Sequence, residues 1–225
     1  LLFNIKLPIN FNSPYKATDI QDFWRRWHIT LSRFLRDYIY IPLGGNRKGE
    51  FRTYNNLLIT FIIGGLWHGA GWTFIFWGFL HGAALVIHRI WQKLNFQLNT
   101  IIAWFITFNF INISWIFFRA KEWDDAIKVL KGMFGFSNLI LPTTLSNQLA
   151  FLTRYDIEFG TLFVNQQSTN AIFTYLIISF LILIFVKNST HIIYSLKTKK
   201  QYIMYLFYCS LLSLISIYHL IVQEY

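Results

Sequence analysis

Two histidines stand in surroundings where an imidazole could do chemistry. The first, His68, lies in the middle of the apolar stretch 57–81, among tryptophans and glycines. As a helix, residues 57–67 would rise about 16 Å, which is about half of the hydrocarbon thickness of a bilayer. An ionisable side chain at that depth is costly, and it indicates a functional site. The alternative is a packing histidine that is hydrogen-bonded to a neighbouring helix.

The glycines around His68 favour the functional interpretation. Glycines weaken a helix, and broken helices are tolerated in a membrane only where protein or a cavity covers the loosened backbone. We therefore expect a broken or re-entrant pair of helices over 57–90 that carries the site. Trp67 and Trp72 would line its reaction chamber. The glycines concerned are Gly64, Gly65, Gly69 and Gly71.

The second histidine, His28, lies in the segment 19–53. Aromatic and aliphatic residues recur there on one face of a helix and arginines on the other, which is typical of a helix in the membrane interface. Thr18 and Gln21 are predicted to form a capping box at its start. His28 falls at the edge of the aromatic stripe. It is either an interfacial imidazole or a proton-handling partner of His68, because neutral imidazole, which burial favours, is a competent general base.

The other histidines are predicted to have structural roles. His81 and His88 are seven residues apart and share a helix face, but no carboxylate accompanies them in the apolar run. We expect packing or interfacial histidines there rather than metal ligands. His191 lies in a basic loop and His219 near the end of an apolar run. No metal site is expected.

Composition indicates a polytopic membrane protein of the all-α class. The chain is 55% hydrophobic and 13% charged, whereas a soluble domain carries about 25% charged residues. A net charge of +10 would suggest nucleic-acid binding in a soluble protein. Here the basic residues flank apolar runs, which favours topology anchoring and attraction to anionic lipid instead. The single cysteine excludes an internal disulfide.

The whole chain, 1–225, is predicted to be one membrane domain. The interfacial helix and loop of 19–53 are placed in the cytoplasm because basic residues outnumber acidic ones there. Residues 136–170 are predicted to form an extracytoplasmic loop. The first residue is Leu1, and an apolar run is already under way there, so we expect a chain that begins partway through a larger protein. The predicted transmembrane helices are 101–118, 171–186 and 202–222.

Long and specific motifs lie between Phe11 and Gly135. They are FWRRWHITLS at 23–32, RDYIYIPLGGNR at 36–47, GLWHGAGW at 65–72, WG at 77–78 and HG at 81–82. These motifs resemble the membrane-bound O-acyltransferase family, and most closely its branch of alginate O-acetyltransferase membrane components and peptidoglycan-acetylating relatives. Family members are longer, so the resemblance implies that this chain is a C-terminal half.

The resemblance implies an acyltransferase whose catalytic histidines are His68 and His28. Its donor would be a cytoplasmic thioester, acetyl-CoA, with no bound cofactor. Its acceptor would be an extracytoplasmic polysaccharide such as alginate, reached through a periplasmic hydrolase-like partner at the bacterial inner membrane. His68 is expected to act as general base, and His28 to position or polarise the thioester carbonyl. Arg25 and Arg26 are candidate donor ligands, with topology anchoring as the alternative.

Two other functions fit the residues without the resemblance. One is a transporter component in which His68 passes protons at a broken helix, and it predicts solute flux without an acetyl donor. The other is a structural membrane scaffold, for which neither histidine would matter.

Overall fold

The computed structural model describes residues 7–135, 140–155, 157–160 and 166–196, with 198, 200, 201, 203–205, 207 and 210. Its contacts divide the chain into two units, 1–185 and 186–225. The described part is mainly helical, which confirms the all-α class. The predicted helix over 202–222 lies largely outside the described residues.

The interfacial segment forms two short helices rather than one. Helix α1 spans Ile20–Arg26, helix α2 spans Ile29–Leu35, and a π-helical turn follows at Arg36–Tyr40. Asp19 caps α1, since its Oδ1 accepts from the Asp22 amide at 2.7 Å. The predicted cap at Thr18 is therefore wrong by one residue.

The segment before α1 holds the break between α1 and α2. Asn10 replaces the missing helical hydrogen bonds, because its carbonyl accepts from the Ile29 amide at 2.9 Å. Its side-chain Oδ1 accepts from the amide and the hydroxyl of Thr30, at 3.0 and 2.9 Å. The Asn12 amide donates to the Arg26 carbonyl at 2.9 Å. The first turn of α2 is thus capped from a distant part of the chain.

The apolar stretch around His68 is an antiparallel helical hairpin. Helix α3 spans Glu50–His68 and helix α4 spans Trp72–Lys93, so they are about 28 and 33 Å long. The pair of helices predicted over 57–90 is interrupted at 69–71, directly after His68. Helix α3 begins at Glu50, seven residues before the predicted start at 57. An ion pair between Lys93 and Glu50 joins the open end of the hairpin.

Glycines bring the two arms of the hairpin into backbone contact. A Cβ atom on Gly65 would lie 2.3 Å from the carbonyl oxygen of Phe74, and one on Gly78 would lie 2.3 Å from that of Phe61. Only residues without a side chain fit at both positions. Such close approach through small residues is the usual way in which membrane helices associate.

Helix α5, Thr100–Arg119, packs against α4 and is followed by the short helix α6, Trp123–Met133. Among the described residues, α4 and α5 are long and apolar enough to cross a membrane. The buried core lies where α1 meets these two helices. It includes Phe23 and Trp24 from α1, Trp77 and Leu85 from α4, and Ile111 and Phe117 from α5.

The described remainder of the first unit contains a small sheet and helix α7. Strands β1, Ile140–Pro142, and β2, Glu158–Gly160, pair in parallel, with Ile140 opposite Glu158. Helix α7, Gln166–Phe185, begins five residues before the predicted span over 171–186. In the second unit, α8 covers Ser189–Ser195. Short 3₁₀ turns lie at Pro14–Lys16, Thr143–Leu145 and Ala150–Tyr155.

Candidate active site

His68 ends helix α3 at the turn of the hairpin, and aromatic rings surround it. Its ring centroid lies 4.8 Å from that of Trp67, 4.9 Å from that of Phe118 and 5.5 Å from that of Trp77. Among the described residues, no hydrogen bond to the His68 ring is found. Its ring nitrogens therefore remain free to bind a proton or a substrate atom.

His28 occupies the break between α1 and α2, in the left-handed conformation with φ of 42°. Its Nδ1 lies 3.5 Å from the Thr30 hydroxyl, and its ring contacts Phe11. His28 and Trp67 line one cavity of about 380 Å³, which we call the histidine cavity. The structure thus brings His28 to the same cavity as Trp67, the residue that precedes His68.

A second cavity, of about 520 Å³, lies between α1, α2, α3 and α4. We call it the cationic cavity, because Arg25, Arg33, Arg36 and Arg89 contribute to its lining. Arg36 donates to Asp37 at 2.7 Å, and this hydrogen bond lowers the pKa of the exposed carboxyl. Four guanidinium groups in one lining, of which Arg36 pairs with Asp37, favour the binding of an anion.

Other side chains of the cationic cavity add hydrogen-bonding groups. Burial raises the pKa of the Tyr40 phenol, although the nearby Arg89 charge opposes this shift. The Nε atom of Arg89 is buried and has no hydrogen-bond partner among the described residues. His88 lies 3.6 Å from Asp19, so the two would form an ion pair if the imidazole were protonated.

The predicted substrate-binding residues are divided between different places. Arg25 lines the cationic cavity, whereas Arg26 pairs with Asp22 at 2.8 Å and lies outside that lining. Trp67 lines the histidine cavity and is 64% exposed. Trp72, which begins α4, is 78% exposed and lines neither cavity. Helical geometry separates Arg25 from Arg26, because consecutive residues point about 100° apart.

His81 is a packing histidine, as predicted. It is fully buried, and its Nδ1 accepts from the indole Nε1 of Trp24 at 3.2 Å. Because an indole nitrogen only donates, His81 must carry its proton on Nε2. That atom donates to the Ser114 hydroxyl at 3.0 Å, which in turn donates to the Ile111 carbonyl at 2.8 Å. This chain of hydrogen bonds ties α1 to α4 and α5.

Sequence reasoning missed several residues that shape the two cavities. Asn10 fixes the break at His28 but lies outside every motif. Arg89 lies in the last turns of an apolar helix, and this position was the signal that could have suggested a buried role. Leu35 lines both cavities and carries no chemical signal at all. Among the described residues, no group of three or more His, Cys, Asp or Glu side chains could hold a metal ion.

Comparisons with known proteins agree with the resemblance found in the motifs. A peptidoglycan O-acetyltransferase of Helicobacter pylori is 54% identical over 198 residues, which are 85% of this chain and 37% of that protein. A probable alginate O-acetylase AlgI of Azotobacter vinelandii is 44% identical over 154 residues, 68% of this chain and 31% of that protein. A teichoic acid D-alanyltransferase of Streptococcus thermophilus is 33% identical over 141 residues. The chain spans about a third of the length of these relatives.

The family comparison covers both histidines. Residues 2–122 match the membrane-bound O-acyltransferase family, and this range includes His28, His68 and the four arginines of the cationic cavity. The match extends over more than half of the chain. The chain therefore belongs to the membrane-bound O-acyltransferase family.

Proposed function

We propose that the protein is an O-acetyltransferase that moves an acetyl group from acetyl-CoA in the cytoplasm to hydroxyl groups of an extracytoplasmic polysaccharide. The observation that carries this proposal is the His68 imidazole, which lies within an aromatic cluster, follows Trp67 of the histidine cavity in sequence, and has no ring hydrogen bond among the described residues. A general base needs a ring nitrogen that no structural hydrogen bond occupies. His81, in contrast, uses both of its ring nitrogens in packing.

His68 acts in this proposal as the general base. It takes the proton of the attacking hydroxyl while that oxygen bonds to the thioester carbonyl carbon. The carbon–sulfur bond then breaks, and the departing thiolate takes up the proton. His28, which lines the histidine cavity together with Trp67, holds the carbonyl oxygen in place. The surrounding aromatic rings exclude water, which would otherwise hydrolyse the donor.

The cationic cavity is the proposed site of the donor's phosphate groups. Phosphates prefer arginine, because its planar guanidinium group forms two parallel hydrogen bonds with their oxygens. Arg25 and Arg89 approach this cavity from different helices, and the buried Arg89 Nε lacks a partner that a phosphate oxygen could supply. Arg26 is less suited to this role, because it pairs with Asp22 and does not line the cavity.

Peptidoglycan is the proposed acceptor polymer. The Helicobacter pylori relative carries that activity in its name, and its similarity to this chain is higher and more extensive than that of the alginate O-acetylase. A periplasmic hydrolase-like partner is proposed to complete the transfer. The bacterial inner membrane is the proposed location, with the cationic cavity open to the cytoplasm.

The test uses the full-length protein in membranes, with labelled acetyl-CoA and isolated peptidoglycan. We expect His68→Ala to lower acetyl transfer by about 10²- to 10⁴-fold, the usual contribution of a general base. His191→Ala, which changes an exposed histidine of the second unit, serves as the matched control and should retain activity. Full activity of His68→Ala would refute the mechanism. Solute flux without any donor would instead favour a transporter.

The donor site has its own test. Arg25→Gln should raise KM for acetyl-CoA, and Arg26→Gln should leave it nearly unchanged. The two substitutions remove the same charge from adjacent residues, so any difference reports the cavity and not the net charge. Equal changes in KM would contradict the proposed donor site.

A further inference from the structure

The two cavities have one side chain in common. Leu35 lines the cationic cavity on one side and the histidine cavity on the other. It is 5% exposed and fills the contact between α2 and α3. We infer that Leu35, packed on Gly64, is the barrier between the two cavities and sets the size of the acyl group that can reach the histidines. This inference rests on the proposed function.

The position of Gly64 leaves little free space beside Leu35. A Cβ atom on Gly64 would lie 3.1 Å from Cδ1 of Leu35, closer than carbon atoms usually pack. The leucine thus already fills the space that the missing side chain leaves. Gly64 differs in this from Gly65 and Gly78, whose missing side chains make room for backbone atoms of the other hairpin arm.

Helix α3 carries lining residues of both cavities close together. Phe61 lines the cationic cavity and Ile63 lines the histidine cavity. Two residues of α-helix rise only about 3 Å. Leu35 packs against Gly64 beside this part of α3, so a donor with its phosphates among the arginines would pass Leu35 to present its thioester near His28.

The barrier acts on the reaction through steric selection. An acetyl group adds one methyl carbon beyond the carbonyl, and each longer acyl group adds methylenes that must also pass Leu35. Well-packed side chains yield poorly to added volume. In a tight apolar site, one methylene changes the relative kcat/KM by about 10- to 200-fold. Acetyl selectivity therefore originates between α2 and α3, away from the reacting atoms.

The experiment compares kcat/KM for acetyl-, propionyl- and butyryl-CoA in the full-length protein. For Leu35→Ala we expect the butyryl-to-acetyl ratio to rise by at least about tenfold. Leu35→Val, which removes a single carbon, should give a smaller rise and replaces the alanine variant if that variant folds poorly. Gly64→Ala should lower the ratio further below that of the wild type, because its methyl group pushes against Leu35.

Leu80→Ala is the matched control. It removes the same atoms from a partly buried leucine of α4 that lines neither cavity, so its acyl ratio should equal that of the wild type. If the wild type transfers acetyl groups and Leu35→Ala has the same butyryl-to-acetyl ratio as the wild type, the inference about Leu35 is overturned and the proposed function stands. A wild-type enzyme that transfers no acyl group from any CoA thioester would overturn the proposed function, and this inference with it.

Discussion

The hydrogen bond between Trp24 and His81 should contribute measurably to the stability of the protein. Trp24 is 6% exposed and His81 is fully buried, and the bond joins α1 to α4 over 57 positions of sequence. The substitution His81→Leu keeps a similar volume but leaves the indole N–H without an acceptor. An unpaired buried donor costs about 1–3 kcal/mol. Ser114 loses less, because its hydroxyl keeps the bond to the Ile111 carbonyl.

A double-mutant cycle isolates this bond from the packing changes. The cycle combines His81→Leu with Trp24→Phe, which removes the N–H donor. Hydrogen bonds between membrane helices average about 0.6 kcal/mol in such cycles and reach about 1.7 kcal/mol. We expect a coupling near the upper value, about 1.5 kcal/mol, because both side chains are buried and His81 is the indole's one acceptor among the residues that the structure describes. The free energy of unfolding would be measured by SDS titration followed by circular dichroism.

The control cycle pairs His81→Leu with Trp104→Phe. Trp104 also uses its indole N–H in a hydrogen bond, but its acceptor is the Tyr15 carbonyl at 2.8 Å and not His81. Independent sites add within about 0.5 kcal/mol. A coupling below that value between Trp24 and His81 would refute the assigned network and the tautomer derived from it.

Three further predictions concern the same free energy of unfolding. Gly78→Ala should destabilise the protein by about 1–3 kcal/mol or more, because its Cβ would meet a carbonyl oxygen of α3, whereas Gly71→Ala, with no atom within 3.5 Å of its Cβ, should change little. A reversed order would contradict the close packing of the hairpin. Asp19→Ala should lower the free energy of unfolding by about 1 kcal/mol and Thr18→Ala by clearly less, since Asp19 caps α1. Equal losses would support the cap at Thr18 that the sequence predicted. Lys93→Ala removes an exposed ion pair and should cost less than about 1 kcal/mol, so a larger loss would show that the open end of the hairpin depends on this pair.

The sequence predicted the site best where local pattern determines the structure. The interruption after His68 follows from the glycines at 69 and 71, and the aromatic face of α1 follows from helical spacing. The start of α3 escaped this reasoning because residues 50–56 are mostly polar. They are helical because buried polar groups find partners, as when Asn56 donates to the Gly45 carbonyl at 2.8 Å. Such tertiary hydrogen bonds leave no periodic signal.

The two cavities could not be predicted from local sequence patterns either, because they also depend on tertiary contacts. Arg25 and Arg26 are identical in type and adjacent, but Arg25 lines the cationic cavity whereas Arg26 points elsewhere and pairs with Asp22. Arg89 reaches the cationic cavity because α4 runs antiparallel to α3 and brings its last turns beside α1 and α2. Leu35 gains its position from the crossing of α2 over Gly64. Each of these placements depends on how helices pack and not on residue type.

The left-handed backbone of His28 has a consequence for mutagenesis. With φ of 42°, this residue holds a conformation that costs most side chains about 1–2 kcal/mol and that Asn tolerates well. Replacing His28 by alanine would therefore have two effects at once. It would remove the imidazole, and it would place a residue that tolerates positive φ poorly in this backbone conformation. Asparagine keeps the tolerance for the left-handed backbone and removes only the imidazole ring. Replacement by asparagine, compared with alanine at the same position, thus separates what the ring contributes to turnover from what the backbone contributes to folding.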